Sequence, residues 1–316
     1  MTQKTAFSTR ATYAYKLCGW QTRSDIPLTC VQTSSCGGES VDVFIQIAPG
    51  HPPIAENANR VVFEHSAQSS LIKIEDVADF EVIGGRQIRV WPAARASQKD
   101  IEIFLFGPVW ATLCHQRRVL PLHASAIVTK RGITAFAGHS GTGKSTIAAL
   151  MGSLGYELVS DDVLPISFNR NSIPGAWPYL RRLKLKADPI TQLALTPVEL
   201  VSATLDKEKY FVRPKYVADD KWHRLDRIYL LGGDPTDSRV PIDKITGAES
   251  VHSLVEHTYH FHFIPGSGRF REHLMFCSEL ASKIAIYRLR LSQSFQLGSI
   301  IRAHLGDHSS ETSTTC

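Results

Sequence analysis

The sequence FAGHSGTGKSTIAALMGSLGYELVSDD, residues 136–162, contains the strongest indication of the fold. A glycine-rich run separates two apolar segments, and two adjacent aspartates, Asp161 and Asp162, follow soon afterwards. The apolar residues of ITAFAG (133–138) predict a strand before the run, and TIAALMGSLG (146–155) predicts a helix after it. The glycine-rich run therefore lies where a strand turns into a helix.

The glycine-rich run matches a phosphate-binding pattern. Its eight residues, GHSGTGKS, fit G-x-x-x-x-G-K-[ST] without a gap. Glycines let the backbone curl so that N–H groups point at phosphate oxygens, and the following helix adds the positive end of its dipole. Lys144 is placed to reach the β- and γ-phosphates of ATP, and the Ser145 hydroxyl to ligate Mg²⁺. The predicted nucleotide-binding residues are Gly138, His139, Ser140, Gly141, Thr142, Gly143, Lys144, Ser145 and Thr146.

The two aspartates lie at the end of the next predicted strand, within YELVSDDVLPI (156–166). Because the helix before this strand is short, the strand returns at once to the phosphate side, where strand carboxyl ends face the ligand. One carboxylate is then able to hold Mg²⁺ and the other to accept a proton from an attacking hydroxyl. The alternative interpretation of the aspartates is a solvated Asp-Asp turn. The alternative interpretation of the glycine-rich run is an ordinary glycine- and serine-rich turn.

Composition limits the class of protein. The 316 residues are 43% hydrophobic and 21% charged, which is typical of a globular protein with ample material for a core. The formal net charge of +5 is too small to indicate nucleic acid binding. No apolar run reaches the ~18 residues of a membrane span, and the N-terminus lacks a secretory signal. The six scattered cysteines, without C-x-x-C, predict free thiols in the cytoplasm and indicate neither disulfides nor a zinc site.

The remaining pattern suggests two domains. The first part is β-rich, with a strand in VDVFIQIAP (41–49) and a hairpin in FEVIGGRQIRVWP (80–92). Residues 101–120 are predicted as a strand running into a helix. Further strands are predicted at 125–130, 225–233 and 284–292, and helices at 199–205 and 295–305. The predicted domains are residues 1–115 and 116–305, followed by a disordered tail, 306–316.

Three stretches, LPLHASAIV, ITAFAGHSGTGKST and GYELVSDDVLPI, together resemble the C-terminal kinase domain of bacterial HPr kinase/phosphorylase. More specifically, they are similar to divergent HPr-kinase-related proteins of ribosomally made peptide pathways, including lasso peptide clusters. The opening YAYKLCGWQTRSDIPL is similar to the N-terminal stretch of that group. The resemblance is strong over about residues 118–170 and weaker at 12–28 and in the C-terminal third.

The resemblance implies an α/β fold: a P-loop kinase domain of the HPr kinase/phosphoenolpyruvate carboxykinase type, preceded by a smaller β-rich domain. It implies that His123, Lys144 and Asp161 are catalytic, with Asp161 as general base. It also implies that Ser145 and Asp162 hold the metal. Without the resemblance, His123 would be interpreted as an ordinary surface or core histidine.

Two departures from that family bear on the acceptor. Thr146 stands where true HPr kinases have glutamate, and PYLRRLKLKAD (178–188) is basic where they carry a downstream signature. Both disfavour HPr as acceptor and the reverse phosphorylase reaction. The basic cluster within this stretch is either a solvated face or a contact for an acidic peptide or phosphate; its members are Arg181, Arg182, Lys184 and Lys186.

The predicted function is an ATP-dependent, Mg²⁺-dependent kinase acting on a Ser or Thr hydroxyl of a peptide or small protein. A small-molecule kinase and a non-catalytic nucleotide-binding module stay open, as does a homo-oligomeric state. A GTPase is disfavoured because N-K-x-D is absent, and an ABC-type ATPase because L-S-G-G-Q is absent. The histidines of VEHTYHFHF (255–263) match no compelling ligand spacing and predict a strand with exposed histidines.

Overall fold

The computed structural model describes residues 12–34, 40–50, 52, 61–65, 68–202, 208–232, 242–261, 264, 267–290 and 297–306. Within these residues the chain is a mixed α/β protein with several sheets. Residues 307–316 of the predicted tail, and His262, lie outside the described residues. The division into domains at residue 115 remains a prediction.

The first sheet has seven strands in the order β1-β2-β3-β7-β6-β5-β4. It confirms the predicted strand at 41–49 and the predicted hairpin at 80–92, which are β3 and the pair β6–β7. The strands alternate buried and exposed residues, as expected when one face covers a core. Their bounds are β1 (Tyr13–Leu17), β2 (Trp20–Ser24), β3 (Val43–Ile47), β4 (Val61–His65), β5 (Ser69–Ile74), β6 (Ala78–Ile83) and β7 (Gln87–Pro92).

A helical segment covers this sheet where a strand was predicted from residue 101. It comprises α1 (Gln98–Phe104), a π-helical turn (Leu105–Val109) and α2 (Trp110–Gln116). The side chain of Ser97 caps α1 by accepting from the N–H of Asp100. The prediction was wrong because apolar residues of this segment are buried on more than one side, so their spacing does not distinguish helix from strand.

The other strands form a nine-stranded sheet and, from β14, β15 and β16, a three-stranded one. They confirm the strands predicted around 125–130, 133–138 and 284–292, and that at 225–233 as far as Leu231. Their bounds are β8 (Leu120–Leu122), β9 (Ala124–Thr129), β10 (Gly132–Ala137), β11 (Glu157–Ser160), β12 (Leu164–Phe168), β13 (Pro174–Ala176), β14 (Leu183–Lys186), β15 (Pro197–Leu200), β16 (Lys209–Val212), β17 (His223–Leu231), β18 (Ile242–Ile245) and β19 (Ala285–Leu289).

Strand direction in the nine-stranded sheet determines which loops meet. Strand β9 is antiparallel to both β10 and β11, so β10 and β11 run parallel and end at the same edge. Ala124, the first residue of β9, is paired with Ala137, the last of β10. The residues just before β9 and just after β10 and β11 therefore lie together at one edge of the sheet.

The helix after the glycine-rich run packs between two sheets. The helices that follow along the chain are α3 (Lys144–Ser153), α4 (Ala187–Gln192), α5 (Ala248–Glu256), α6 (Phe270–Lys283) and α7 (Leu297–Leu305). On α3, Ile147 and Met151 pack with side chains of the nine-stranded sheet, whereas Ala148 and Ala149 pack with β14 and β16. Gly155 follows the C-cap residue Leu154 with a φ of +96°, a left-handed conformation that is common just past a helix end.

Three further sequence predictions need correction. The stretch 156–166 forms two strands, β11 and β12, because the aspartates turn the chain between them. Of the predicted helix 199–205, the described part belongs to β15 and the residues just after it. In 255–263, His257 caps the end of α5 and is 8% exposed, so it is not an exposed strand histidine.

Two observations concern cysteines and membranes. The cysteines that the structure describes are free thiols, as predicted: Cys18, Cys30, Cys114 and Cys277. In the described parts of the chain, no helix combines the length and apolar character needed to cross a bilayer.

Candidate active site

The glycine-rich loop connects β10 to α3 at the edge of the nine-stranded sheet. A Cβ atom at Gly138 would lie 2.7 Å from Oγ1 of Thr142 and 3.1 Å from the backbone oxygen of Leu231, so this position has no room for a side chain. Gly143 is the N-cap of α3 with a φ of +91°, a conformation that glycine adopts most easily. The first N–H groups of α3 have no intrahelical acceptor and face this end of the helix.

Lys144 begins α3 and turns its side chain back over the loop. Its Nζ donates to the backbone oxygens of Gly138 at 2.9 Å and His139 at 2.8 Å, and the residue is 7% exposed. Burial lowers the pKa of this amine, while the nearby Asp162 and Asp161 oppose that shift. The hydrogen-bond acceptors of this buried ammonium group are neutral carbonyl oxygens. The group would therefore be stabilised further if an anion replaced them as acceptor.

Asp161 follows β11 and is 3% exposed. Its Oδ1 accepts hydrogen bonds from the hydroxyls of Ser125, at 2.5 Å, and Ser145, at 2.8 Å. Its Oδ2 accepts from the backbone N–H of Lys184 at 2.9 Å. Burial raises the pKa of Asp161, and the hydrogen bonds from Ser125, Lys184 and Ser145 offset part of the shift. The carboxylate is thus desolvated and lies against the loop serine.

Asp162 occupies the centre of a tight turn between β11 and β12. The N–H of Val163 donates to the oxygen of Asp161 at 3.0 Å, and Asp162 has a φ of +74°. This bond and this φ are those of a γ-turn, a rare and strained conformation for a residue with a side chain. Strain of this kind concentrates at functional positions. The turn presents the Asp162 side chain, 27% exposed, to the cleft beside the loop.

Two basic side chains contact the Asp162 carboxylate. Lys184 Nζ donates to Oδ2 at 2.8 Å, and Nε2 of His123 lies 3.4 Å from Oδ1. Burial would raise the pKa of Asp162, but Lys184 and His123 outweigh it and hold the pKa well below its usual range. The rings of His123 and the partly buried Tyr259 meet edge to face, with centroids 5.2 Å apart. Asp162 is therefore ionised, and His123 is fixed beside it.

A cleft of about 510 Å³ joins these groups. Lys184, Lys186 and Lys209 line it together with the loop residues, while Ile103, Phe104 and Val201 supply apolar wall. A cleft with several ammonium groups and a helix N-terminus favours a polyanion, and its apolar wall suits a less polar part of the same ligand or a second substrate.

The structure brings most of the predicted site residues into this cleft. The cleft is lined by His123, by both aspartates, and by these residues of the loop and the start of α3: Ser140, Gly141, Gly143, Lys144, Ser145 and Thr146. His139 differs, because its ring extends outward to Glu256, with Nε2 3.0 Å from Oε1.

The members of the basic cluster, Arg181, Arg182, Lys184 and Lys186, make different kinds of contact. Arg181 pairs with Asp220 at 2.9 Å and Lys186 with Glu208 at 3.0 Å, which fits the predicted solvated face. Arg182 stacks on the Phe211 ring, 3.9 Å from its centroid. Lys184 instead contacts both aspartates.

Three side chains of the site were not predicted from the sequence. Lys184 was included only as one member of a basic cluster, and nothing in its local pattern indicates a contact with Asp162. Ser125 lies two residues after His123, and residues with this spacing in an extended chain face the same side. This spacing could have indicated that Ser125 belongs to the site. Tyr259 reaches His123 from a distant part of the chain, so no local pattern could reveal it.

Comparison with known proteins shows a distant likeness to a solved structure. No family model matches the sequence, and no curated protein matches it. Among solved structures, the chain is similar to the Hpr(Ser) kinase/phosphatase from Coxiella burnetii, with 11% identity and a TM-score of 0.32 over 59% of this chain and 97% of that one. At that TM-score the two structures superpose too loosely to align individual site residues.

Proposed function

We propose that the protein is an ATP-dependent kinase that transfers the γ-phosphoryl group to a Ser or Thr hydroxyl of a peptide or small protein. The proposal includes the P-loop kinase fold of the HPr kinase type and the cytoplasmic location predicted from the sequence. The observation that supports it most is the joint presence in one cleft of Lys144, Ser145 and the pair Asp161–Asp162.

Lys144 and the loop would bind the phosphates of the nucleotide. The Lys144 amine already lies over the loop, where its acceptors are the oxygens of Gly138 and His139. Phosphate oxygens would replace these carbonyl oxygens, giving charge-assisted hydrogen bonds that are roughly twice as strong as neutral ones. The close packing at Gly138 keeps the loop backbone in position for this contact.

Ser145 and Asp161 fit a magnesium ion. Their oxygens lie 2.8 Å apart, and both are hard donors of the type that Mg²⁺ prefers. A cation would also neutralise Asp161, whose burial otherwise disfavours its charge. Bound Mg²⁺ would supply charge neutralisation for the β- and γ-phosphates. Asp162 has no comparable contact with the loop serine.

Asp162 is the better candidate for the general base. A base must be within hydrogen-bond reach of the acceptor proton, and geometry is decided before pKa. Asp161 is 3% exposed and its carboxylate lies against the Ser145 hydroxyl, whereas the side chain of Asp162 is 27% exposed. Asp162 faces the cleft. We therefore propose the reverse of the roles that the family resemblance implies, with Asp162 as base and Asp161 at the metal.

His123 and Lys184 would orient that base. Each contacts a different oxygen of Asp162, so together they fix the plane of its carboxylate. Lys184 also lines the cleft, where its ammonium group is placed to stabilise negative charge on the transferring phosphoryl group. Loss of either side chain should reduce catalysis without removing the metal site.

The proposal is tested by supplying ATP, Mg²⁺ and a degenerate library of Ser- and Thr-containing peptides, including lasso precursor sequences, and measuring peptide mass. We expect products heavier by one phosphoryl group with the wild type and none with Lys144→Ala. Tight ATP binding without transfer to any peptide would favour a nucleotide-binding module. Transfer only to small hydroxyl compounds would favour a small-molecule kinase. No ATP binding at all would overturn the proposal.

A further inference from the structure

A second group of ligand-type side chains lies beside the glycine-rich loop, outside the cleft. It consists of His139 in the loop and of Glu256 and His257 at the end of α5. One ligand atom from each lies within 4.8 Å of the other two. His139 and Glu256 are exposed, whereas His257 is buried. His139 is more than a hundred positions away from Glu256 and His257 in sequence, so only the fold brings it to them.

The donor set differs from that of the magnesium site. Two imidazoles and one carboxylate are ligands that suit Zn²⁺ and similar transition metals, whereas Mg²⁺ prefers oxygen donors and water. Two histidines and one glutamate form a known three-ligand zinc set, which leaves a fourth position for water.

The distances are close to those of a metal centre. With Zn–N bonds of about 2.0–2.1 Å, tetrahedral ligand atoms lie about 3.3 Å apart and imidazole centroids about 5 Å apart. Here Nε2 of His139 lies 3.0 Å from Oε1 of Glu256, and the rings of His139 and His257 have centroids 4.9 Å apart. The side chain of His139 is 67% exposed, so its imidazole has room to rotate into a tetrahedral ligand position.

A neighbouring histidine would support the glutamate. His252 lies one helical turn before Glu256, and its Nε2 is 4.0 Å from Oε2, the oxygen that does not contact His139. Outer partners of this kind commonly orient a ligating carboxylate.

We propose that His139, Glu256 and His257 bind a zinc ion that joins the glycine-rich loop to the end of α5. The ion would hold the loop through His139, whose backbone oxygen accepts from Lys144. The site would thus restrain the loop on the side away from the aspartates. This inference does not depend on which acceptor the protein phosphorylates.

The test is a metal titration of the full-length protein in excess Mg²⁺. We expect one Zn²⁺ per chain by calorimetry, and a visible Co²⁺ spectrum typical of tetrahedral nitrogen and oxygen ligation. His139→Ala and Glu256→Gln alter exposed side chains, so both variants should fold. Each should weaken Zn²⁺ binding by at least ~10-fold, the lower bound for losing even an outer-shell partner.

His223→Ala is the matched control, because His223 pairs with the carboxylate of Asp219 at 2.9 Å, and neither residue belongs to the proposed site. It should leave Zn²⁺ binding unchanged. Hydrogen exchange at residues 138–143 should slow on adding Zn²⁺ to the wild type but not to His139→Ala.

Three results would overturn the proposal. One is Zn²⁺ binding that is absent or displaced by Mg²⁺, which would mean that His139 and Glu256 form only a hydrogen-bonded pair. Another is equal binding by the wild type and by both site variants. The last is a thiolate-to-cobalt absorption band, which would place the ion at a cysteine.

Discussion

The ammonium group of Lys184 donates a hydrogen bond of 2.8 Å to Oδ2 of Asp162. The backbone N–H of the same lysine donates to Asp161, so one residue of β14 contacts both aspartates of the site. Strand β14 belongs to the three-stranded sheet, whereas the aspartates follow a strand of the nine-stranded sheet. The candidate site is therefore assembled across two sheets.

Lys184→Met should destabilise the protein in a pH-dependent way. Lys184 and His123 lower the pKa of Asp162 in the folded state against the effect of burial, so the ionised carboxylate stabilises the fold. That contribution is fully present above the unfolded pKa of ~3.9 and is lost progressively as pH falls from there through the much lower folded pKa. We expect Lys184→Met to lower the free energy of unfolding by about 1 kcal/mol at pH 7, measured by urea titration.

The control for this variant is Lys186→Met on the same strand, where Lys186 forms an exposed pair with Glu208. Its effect should be smaller, because exposed pairs contribute about 0–1 kcal/mol. Equal losses of unfolding free energy for Lys184→Met and Lys186→Met at pH 7 would show that the contact with Asp162 contributes no more than an exposed pair.

Lys144→Ala should abolish nucleotide-dependent activity and leave the fold intact. The ammonium group hydrogen-bonds to backbone oxygens of the loop. Its removal should therefore alter the loop and leave the packing of the hydrophobic core unchanged. Loss of one positioned donor typically costs ~10²–10³ in rate. ATP binding and single-turnover transfer should both fall, with an unchanged circular dichroism spectrum.

Lys221→Ala provides the comparison, because Lys221 pairs with Asp219 and is highly exposed. If Lys144→Ala behaved like this control in both assays, the loop would not be a phosphate site.

Gly138→Ala should disturb the loop, whereas Gly152→Ala should not. At Gly138 an added Cβ would meet the Leu231 oxygen at 3.1 Å and Thr142 Oγ1 at 2.7 Å. Overpacking of this kind typically costs about 1–3 kcal/mol. Gly152 lies within α3 with open space around its Cα, so alanine there should stabilise by about 0.5–1 kcal/mol. Thermal unfolding of both variants checks this, and equal shifts of the same sign would contradict it.

Asp161→Asn should be more stable than the wild type at pH 7. Burial raises the pKa of Asp161 in the folded state, so its charged form opposes folding once the pH exceeds that pKa. The neutral amide removes this cost. The melting temperature of the variant should exceed that of the wild type at pH 7, and the difference should vanish below about pH 4. A variant that is less stable at both pH values would show that the carboxylate hydrogen bonds outweigh the burial.

The parts of the site that lie close together in sequence were predictable. The loop, Lys144 and Ser145 form a continuous pattern, and the aspartates follow after one helix and one strand. Local propensity is enough to place such elements, since strand and helix signals alternate without ambiguity.

The parts that depend on distant pairing were not predictable. Lys184 reaches Asp162 because β14 packs on α3, and His257 reaches His139 because α5 ends beside the loop. The beginning of the segment 101–120 was predicted as a strand, although it is helical, because its apolar residues are buried on several sides and show no single face. Periodicity indicates structure only where one side of an element meets water.

The central claim, that Asp162 activates the acceptor hydroxyl, is tested most directly by single-turnover phosphoryl transfer from Mg·ATP by Asp162→Asn and Asp161→Asn, with ATP affinity measured separately. We expect Asp162→Asn to bind Mg·ATP like the wild type and to transfer ~10²–10⁴-fold more slowly. Asp161→Asn should instead require far more Mg²⁺ for nucleotide binding. Wild-type transfer by Asp162→Asn, or a slow Asp161→Asn whose Mg²⁺ requirement is unchanged, would contradict the assignment.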